Sequence, residues 1–273
     1  MEPITLAVIP SVTPGDRREA LGALCHELSV MLGLRIVSAF PESYSALTSE
    51  LEKDRVQLAW MPPVLMVLTD EQIPLRPLLS AIRDDRTMYS SVLFVDAERS
   101  FQQIEDLRGK TVAWVDATSA SGYMYPRLHL AAYGVDPNKL FGKELFLGSH
   151  PEVVRAVFDG RADVGATYAE LPIEGQPVRR AGFCDVLPDR RGRVIEWTRP
   201  IPNDLLVAHS NVPDSVHVAF VRAILDLGER EDGRRLLFAA FHAERFTADL
   251  KNMLGSLWNQ VAQARRNGLL SHL

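Results

Sequence analysis

The sequence predicts an α/β protein of two lobes, and three observations carry that reading. Short apolar runs closed by proline, glycine or other turn residues alternate with segments of helical periodicity along most of the chain, the pattern of mostly parallel sheets covered by helices. The character of the sequence changes twice, at the charged turn Arg83-Asp84-Asp85-Arg86 and at the proline-flanked passage Pro200-Ile201-Pro202-Asn203-Asp204, as a chain does when it leaves one lobe and returns to it. Its 273 residues are enough to bury two cores of moderate size. The expected division puts residues 1–82 and 203–273 in lobe 1 and residues 83–202 in lobe 2, with a ligand cleft between the lobes and hinge closure around the ligand.

The elements follow in order. Ile4 to Ile9 is a compact apolar strand ended by Pro10. Leu21, Leu24, Leu28, Met31 and Leu32 then recur at helical spacing and Gly33 stops the helix. Leu34 to Ala39 reads as a strand, Ser43 to Lys53 as a helix, Val56 to Trp60 as a strand, and Met61-Pro62-Pro63 leads into an apolar helix through Leu68. Pro77 to Ile82 and Ser90 to Val95 are strands on either side of the charged turn, and Phe101 to Gly109 is a short helix. A second α/β run holds a strand at Thr111 to Val115, a helix at Tyr123 to Tyr133, a helix at Pro151 to Phe158 and a strand at Ala162 to Ala166. Strands are expected at Asp185 to Leu187 and Val194 to Trp197, and from Val212 onward the pattern is almost wholly helical.

Composition excludes several classes. A formal net charge of −5 without a dense basic run argues against a nucleic-acid face, and Arg190-Arg191-Gly192-Arg193 reads as a solvated loop. No apolar run approaches the roughly 20 residues that a membrane span requires. The N-terminal Met1-Glu2-Pro3-Ile4-Thr5 enters a strand directly, without a basic n-region or an apolar h-region, so the chain as written is expected in the cytoplasm, and in the periplasm if it is a processed form. Cys25 and Cys184 have neither metal-ligand nor disulfide spacing and read as two buried free thiols. No cofactor or metal is expected, and a monomer is.

The most informative stretch runs from Asp116 to Pro126. Thr118, Ser119 and Ser121, with Gly122, stand between a strand and a helix, where hydroxyl donors meet the unpaired amides and positive field of a helix N-terminus. Such a junction can hold a tetrahedral oxyanion without an arginine. The plainer reading is that one serine is an N-cap and the others face water.

Several ordered pieces of the chain resemble the phosphate/phosphite/phosphonate substrate-binding proteins of ABC importers. They are Tyr44 at a helix start, Val56-Gln57-Leu58-Ala59-Trp60, Tyr89-Ser90-Ser91-Val92, Glu105-Asp106-Leu107-Arg108-Gly109-Lys110, Ser119-Ala120-Ser121-Gly122-Tyr123 with Pro126, Gly148-Ser149-His150 and Gly160-Arg161-Ala162-Asp163-Val164. The resemblance runs from about Ile4 to about Ala240 and implies the two-lobed type II periplasmic-binding-protein fold and capture of a small phosphorus oxyanion. By that likeness Ser119 and Ser121, with amides near Gly122, take the phosphorus-bound oxygens, and Thr118 stands beside them. Tyr44 and Tyr89 match positions that supply phenolic hydrogen bonds from the other lobe, His150 matches a pocket histidine, and Glu170 and Asp204 match carboxylates facing an aminoalkyl phosphonate's ammonium group. Ala120 departs from the usual serine-threonine-serine loop and removes one hydroxyl. The N-terminus departs as well, which favours an intracellular binder or sensor working with a regulatory partner over a receptor serving an ABC permease.

Plainer roles stand beside these. His150 before Pro151 also reads as a helix entrance, Glu170 as a helix-start carboxylate, Asp204 as a turn aspartate, and Tyr44 as a core ring. Trp60 and Met61 read as packing, and His129, His209, His217 and His242 lack ligand spacing. Catalysis is the alternative function: Ser119 or Ser121 with His150 and Asp116 invites a triad reading, but Gly-x-Ser-x-Gly, His-Glu-x-x-His and phosphate-loop motifs are absent. The same fold serves cytosolic enzymes of menaquinone and pyrimidine biosynthesis, and Glu170 or Asp204 would then be a general base. A docking module using the stripe Leu250, Met253, Leu254, Leu257, Val261 is a third reading, weighed against plain core.

Overall fold

The computed structural model describes residues 3–8, 14–70, 72–83, 85–117, 119–171 and 180–269, without the side chains of residues 14–16, 44, 251 and 252. Thr118 therefore lies outside the described residues, as does the Tyr44 side chain. In chain order the elements are β1 (Ile4–Val8), α1 (Pro14–Leu32), β2 (Ile36–Ala39), α2 (Tyr44–Glu52), β3 (Leu58–Met61), α3 (Pro63–Asp70), β4 (Leu75–Ile82) and β5 (Met88–Asp96). A 3-10 turn (Ile104–Leu107) stands where a short helix was expected and precedes β6 (Thr111–Trp114). A π-turn (Ala120–Met124) then runs into α4 (Tyr125–Ala132), followed by α5 (Pro137–Leu140), β7 (Lys143–Phe146), α6 (His150–Phe158), β8 (Val164–Ala169), α7 (Gly182–Val186), β9 (Gly192–Trp197) and β10 (Ile201–Pro202). The chain closes with β11 (Leu205–His209), α8 (Asp214–Glu229), α9 (Glu231–Phe241), β12 (Arg245–Thr247) and α10 (Lys251–Arg266).

Contacts divide the chain into two units. Met1–Thr87 with Pro202–Leu254 form unit 1, and Met88–Ile201 with Gly255–Leu273 form unit 2. The chain from Gly255 onward groups with unit 2, whereas the sequence pattern kept residues 203–273 with the first lobe. An apolar stripe tells that a helix is covered but not by which sheet. Asn267 supplies one tie, donating from Nδ2 to the carbonyls of Ala131 and Ala132 at 2.8 and 3.2 Å.

In unit 1 the strand order is β12-β4-β11-β3-β1-β2. β1 runs parallel to β2 and β3, while β11 is antiparallel to β3 and β4 and β12 antiparallel to β4, so this sheet is less parallel than the alternation suggested. Pro77 lies inside β4, where the register against β11 shifts: Leu206 faces Leu79 and Val207 faces Pro77. A bulge is where a strand tolerates a residue with no amide proton. The core joins Leu21, Leu24 and Leu28 of α1 to Phe220, Ile224 and Leu227 of α8 and to Leu237 and Phe241 of α9. Met31, expected on the buried stripe, is exposed. Trp60 is packing, its ring 4.8 Å from that of Phe241 and 6.0 Å from that of Phe246.

Unit 2 has the order β10-β5-β8-β6-β7, with β9 also paired to β5. β6 is parallel to β7 and β8, and β5 is antiparallel to β8 and β9. From Ser90 to Asp96, β5 is buried on both faces, which is why it reads as a continuous apolar run rather than an alternating one. Two assignments change. Asp185 to Leu187 belongs to the end of α7 and the turn after it, because a run this short has no periodicity to separate helix from strand. Arg245–Thr247 forms β12 within the segment read as helical, a three-residue strand fixed by pairing with Ser80–Ile82 rather than by local pattern. Met253, Leu254, Leu257 and Val261 are all buried, so the stripe on α10 is core and no docking face. Cys25 is buried and its thiol is pushed up to about 12 by desolvation, whereas Cys184 is only half-buried, against expectation.

Phe241→Ala is expected to destabilise unit 1 by about 3–5 kcal/mol, because removing a fully buried ring packed against Trp60 leaves a cavity. Chemical denaturation of the variant checks this.

Candidate functional site

The site is built where β6 ends. Val115 donates its amide to the Gly122 carbonyl at 3.2 Å, so the helix starts against the tip of the strand that feeds it. That approach requires glycine: a Cβ on Gly122 would stand 2.4 Å from Val115 Cγ2 and 2.7 Å from Ser119 Oγ. Ser119 is the N-cap, its Oγ accepting from the Gly122 amide at 3.1 Å. The first helical bond is five residues long, from the Met124 amide to the Ser119 carbonyl at 2.9 Å, which makes the entry a π-turn. Such turns widen a helix and concentrate at functional sites. The opening amides of the turn have no carbonyl one turn back to bond.

Ser121 is buried, and its carbonyl is held by the Ser91 hydroxyl at 2.5 Å. Ser91 Oγ also lies 3.2 Å from the Thr167 carbonyl, and the Ser91 amide donates to Thr198 Oγ1 at 2.9 Å. The turn is thus tied to β5 and, through it, to β8. Behind it, Arg127 of α4 is almost wholly buried and pairs with Glu144 of β7 at 3.1 Å, while Trp114 Nε1 donates to the same carboxylate at 2.7 Å. Arg127 also lies over the Tyr123 ring at 4.9 Å.

The ends of β6, β7 and β8 point the same way, and the carboxyl edge of parallel strands is where α/β sheets bind ligands. After β7, Gly148 takes a φ of +80° and Ser149 caps α6, placing His150 at its first position. His150 Nδ1 is 3.0 Å from Thr167 Oγ1, and the ring meets Tyr168 edge-on at 5.0 Å. Burial lowers its pKa to about 4, with Asp116 pulling weakly the other way, so the ring is neutral at pH 7. Gly182 makes room for the Thr167 hydroxyl, since a Cβ there would lie 2.0 Å from it. Tyr168 donates to Asp185 Oδ2 at 2.9 Å, and burial, then Asp185, raises its phenol to about 12.

Of the residues singled out in the sequence, Ser119, Ser121, Gly122, His150, Glu170 and Tyr89 come to this edge of unit 2. Glu170 follows β8, half-buried, its amide donating to the Arg180 carbonyl at 2.9 Å. Tyr89 belongs to β5 of unit 2, one residue before the Ser90–Ala169 pair, and so shares a unit with the serine turn; its assignment to the other lobe is corrected. Tyr44 opens α2 of unit 1, behind the Ser43 N-cap. Asp204 also lies in unit 1, and its carboxylate is paired with Arg83 at 2.8 Å, with Arg17 in electrostatic range. Asp204 therefore already has a cationic partner within unit 1. Of the groups in the triad reading, His150 Nδ1 is bonded to Thr167 Oγ1 and Ser119 Oγ accepts the Gly122 amide.

Thr167, Ser91 and Thr198 escaped the sequence reading. The signal for Thr167 was a lone hydroxyl in an otherwise apolar strand, Val164-Gly165-Ala166-Thr167. Ser91 lay inside a recognised segment without a role.

Residues 6–251 match the model of the family described as "ABC transporter, phosphonate, periplasmic substrate-binding protein". The chain belongs to this family. A phosphate-import protein, PhnD, from Mycolicibacterium smegmatis is 27% identical over 180 residues, 61% of this chain and 55% of that protein, so the match spans about half of the relative. Among solved structures, a Xanthomonas citri protein with ATP bound superposes with a TM-score of 0.78 at 20% identity, covering 97% of this chain and 98% of that one. A binding-protein component of a phosphonate ABC transporter from Pseudomonas aeruginosa gives 0.68 at 20% identity, with 97% and 87% covered. PhnD1 from Prochlorococcus marinus, solved with methylphosphonate, gives 0.65 at 18% identity, with 97% and 98% covered. These establish the type II periplasmic-binding-protein fold that the sequence predicted.

Two outcomes are expected for this family member. Gly122→Ala should cost about 1–3 kcal/mol by overpacking against Val115 and should displace the turn, detectable as a lowered denaturation midpoint. For His150, the folded-state pKa lies below the unfolded value of 6.5, so the unfolded chain binds the proton more readily. The stability that depends on the neutral ring is complete above about pH 6.5 and is lost as pH falls toward 4. His150→Gln should flatten the stability curve in that window, measured by denaturation at stepped pH.

Proposed function

We propose that this chain is a ligand-capturing receptor for a small phosphorus oxyanion, a phosphonate, phosphite or phosphate ester, held on the Ser119–Gly122 turn of unit 2. The observation that carries the proposal is the capped π-turn with the buried Ser121, locked by Ser91 from behind. It is an anion seat of hydroxyls and helix-opening amides. Neutral His150 beside it can donate one further hydrogen bond without adding charge. Tyr89 and Glu170 stand along the same edge, so Glu170 rather than Asp204 is the candidate partner for an aminoalkyl ligand's ammonium group. Tyr44 and Thr118 retain the roles that the family resemblance gives them.

The family is one of transport receptors, and a permease with its ATPase is the partner that this reading implies. Its members are described as periplasmic, in contrast to the cytoplasmic reading of the first residues. Among the described residues no helix is long and apolar enough to cross a membrane. Neither the relative named for phosphate import nor the neighbour solved with methylphosphonate fixes the substituent on phosphorus for this chain; both favour the phosphorus-anion class.

The test is a thermal-shift series with phosphate, phosphite, methylphosphonate, 2-aminoethylphosphonate and sulfate. A ligand that binds only the folded state raises the melting temperature by mass action. At least one phosphorus anion is expected to raise it in the wild type and to lose that effect in Ser121→Ala. If 2-aminoethylphosphonate gives the largest shift, Glu170→Gln should reduce its advantage over methylphosphonate while Asp204→Asn should leave the advantage intact. No shift with any phosphorus anion, or an undiminished shift in Ser121→Ala, overturns the proposal.

A further inference from the structure

Unit 2 contains a second concave site, formed where the C-terminal end of α4 meets α10 and the segment after β9. It is a cavity of about 330 Å3 whose lining includes Tyr133, Arg199, Asn259, Gln260, Gln263 and Arg266 and, among the described residues, no carboxylate. That volume lies at the lower end of the range of small-molecule pockets. The charge balance is what distinguishes it. Elsewhere Arg83, Arg127, Arg190 and Arg230 each pair with an aspartate or glutamate. Arg199 and Arg266 form no salt bridge among the described residues, although the chain carries five more acidic than basic side chains (35 against 30).

What holds the two guanidinium groups is neutral. Arg199 lies over the exposed Tyr133 ring at 5.9 Å, with Nη2 3.4 Å from the phenol oxygen. Arg266 donates from Nε and Nη2 to Gln263 Oε1 at 3.2 and 2.5 Å, and Gln263 Nε2 in turn donates to Asn267 Oδ1 at 3.2 Å. These contacts orient the forks without neutralising them and leave further N–H donors on each. Between them Gln260 is 96% buried, given its 4% exposure, yet makes only one long hydrogen bond, from Nε2 to the Ser256 carbonyl at 3.4 Å. Its Oε1 takes no bond from a described residue. An unneutralised pair of arginines facing a hollow, beside a carboxamide whose oxygen accepts no bond from a described residue, is an arrangement completed by an anion that also carries a neutral hydrogen-bond donor.

We infer that this cavity is a second ligand site, separate from the serine turn, and that it takes a small molecule bearing more than one carboxylate or phosphate group. The two guanidinium groups engage the oxyanions, and the carboxamides of Asn259 and Gln260 engage the neutral polar atoms. The helix ends nearby give the arginines a purely structural alternative, since cations also stabilise carbonyl-rich helix C-termini. The experiment therefore has to read binding and stability separately.

Isothermal titration of the full chain with citrate and with pyrophosphate separates a carboxylate ligand from a phosphate one. It is carried out on the wild type, on Ser119→Ala/Ser121→Ala and on Arg199→Gln/Arg266→Gln. The site is supported if binding of either probe survives in the serine variant and weakens by about tenfold or more in the arginine variant. The arginine variant should also keep the wild-type thermal shift with the phosphorus anion that the serine turn binds. Arg199→Lys/Arg266→Lys, which keeps charge but loses the planar fork, should fall between the two and covers the case in which the glutamine variant folds poorly. The inference is overturned if neither probe binds the serine variant, if the arginine substitutions leave the surviving affinity unchanged, or if they lower stability alone.

Discussion

The contact between Gly122 and Val115 is the constraint from which the rest of unit 2's working edge follows. Without a Cβ at residue 122 the helix can begin directly against the end of β6, and its carbonyl can receive the Val115 amide. The strand tip and the helix tip then share a hydrogen bond, which leaves no slack for a loop. The chain accommodates the join by opening its first turn to a five-residue spacing, capped by Ser119. That spacing turns the opening amides away from the ordinary helical ladder. Ser91 holds the Ser121 carbonyl on one side and Arg127 clamps α4 to Glu144 on the other, so the turn is fixed from two directions before any ligand arrives. A site whose donors are already oriented binds without losing further conformational freedom.

Matched ion pairs occur in both units, and what sets the serine turn apart is that its own donors are neutral. In unit 1, Asp204 is matched by Arg83 and flanked by Arg17, and desolvation lowers the Arg17 pKa from its usual value. In unit 2, Ser119, Ser121, Gly122 and His150 bring no formal charge. Burial holds the His150 imidazole neutral at pH 7 against the opposing pull of the Asp116 carboxylate. A neutral ring has one N–H and one acceptor nitrogen, and its Nδ1 lies 3.0 Å from Thr167 Oγ1.

How much of this was legible in the sequence depends on how local the determinant is. The alternation of strands and helices, the cap at Ser119 and the glycine after Ser121 are local and were readable, because hydroxyl, spacing and glycine each have a short-range physical cause. The membership of α10 was not, since an apolar stripe is blind to which sheet covers it. β12 and the Pro77 bulge owe their form to pairing partners far along the chain, and neither Arg245-Phe246-Thr247 nor Leu75-Arg76-Pro77 carries a local signal strong enough to predict it. Thr167 and Ser91 belong to the same class: each is an ordinary hydroxyl residue in a buried strand until the turn and His150 are brought against it. The Asp204–Arg83 pair was not legible either, because its two members lie 121 residues apart in sequence.

A seat made of neutral donors has a consequence for selectivity. Coulomb attraction falls off slowly with distance and favours any anion of the right sign, whereas hydroxyl and amide donors act only within about 3 Å and along defined directions. With donors supplied by one short turn and its immediate neighbours, discrimination rests on where the anion's oxygens lie, not on how much charge they carry. Ala120 matters in this setting because every lost hydroxyl removes a direction as well as an energy. An anion that relied on a donor at that position would leave one oxygen without a partner, at a cost of about 1–3 kcal/mol, and more for a charged oxygen, wherever water cannot replace it. On the proposed anion-seat reading, Ala120 narrows the anions that fit and shifts more of the discrimination onto Ser119, Ser121 and the opening amides that Gly122 holds against Val115.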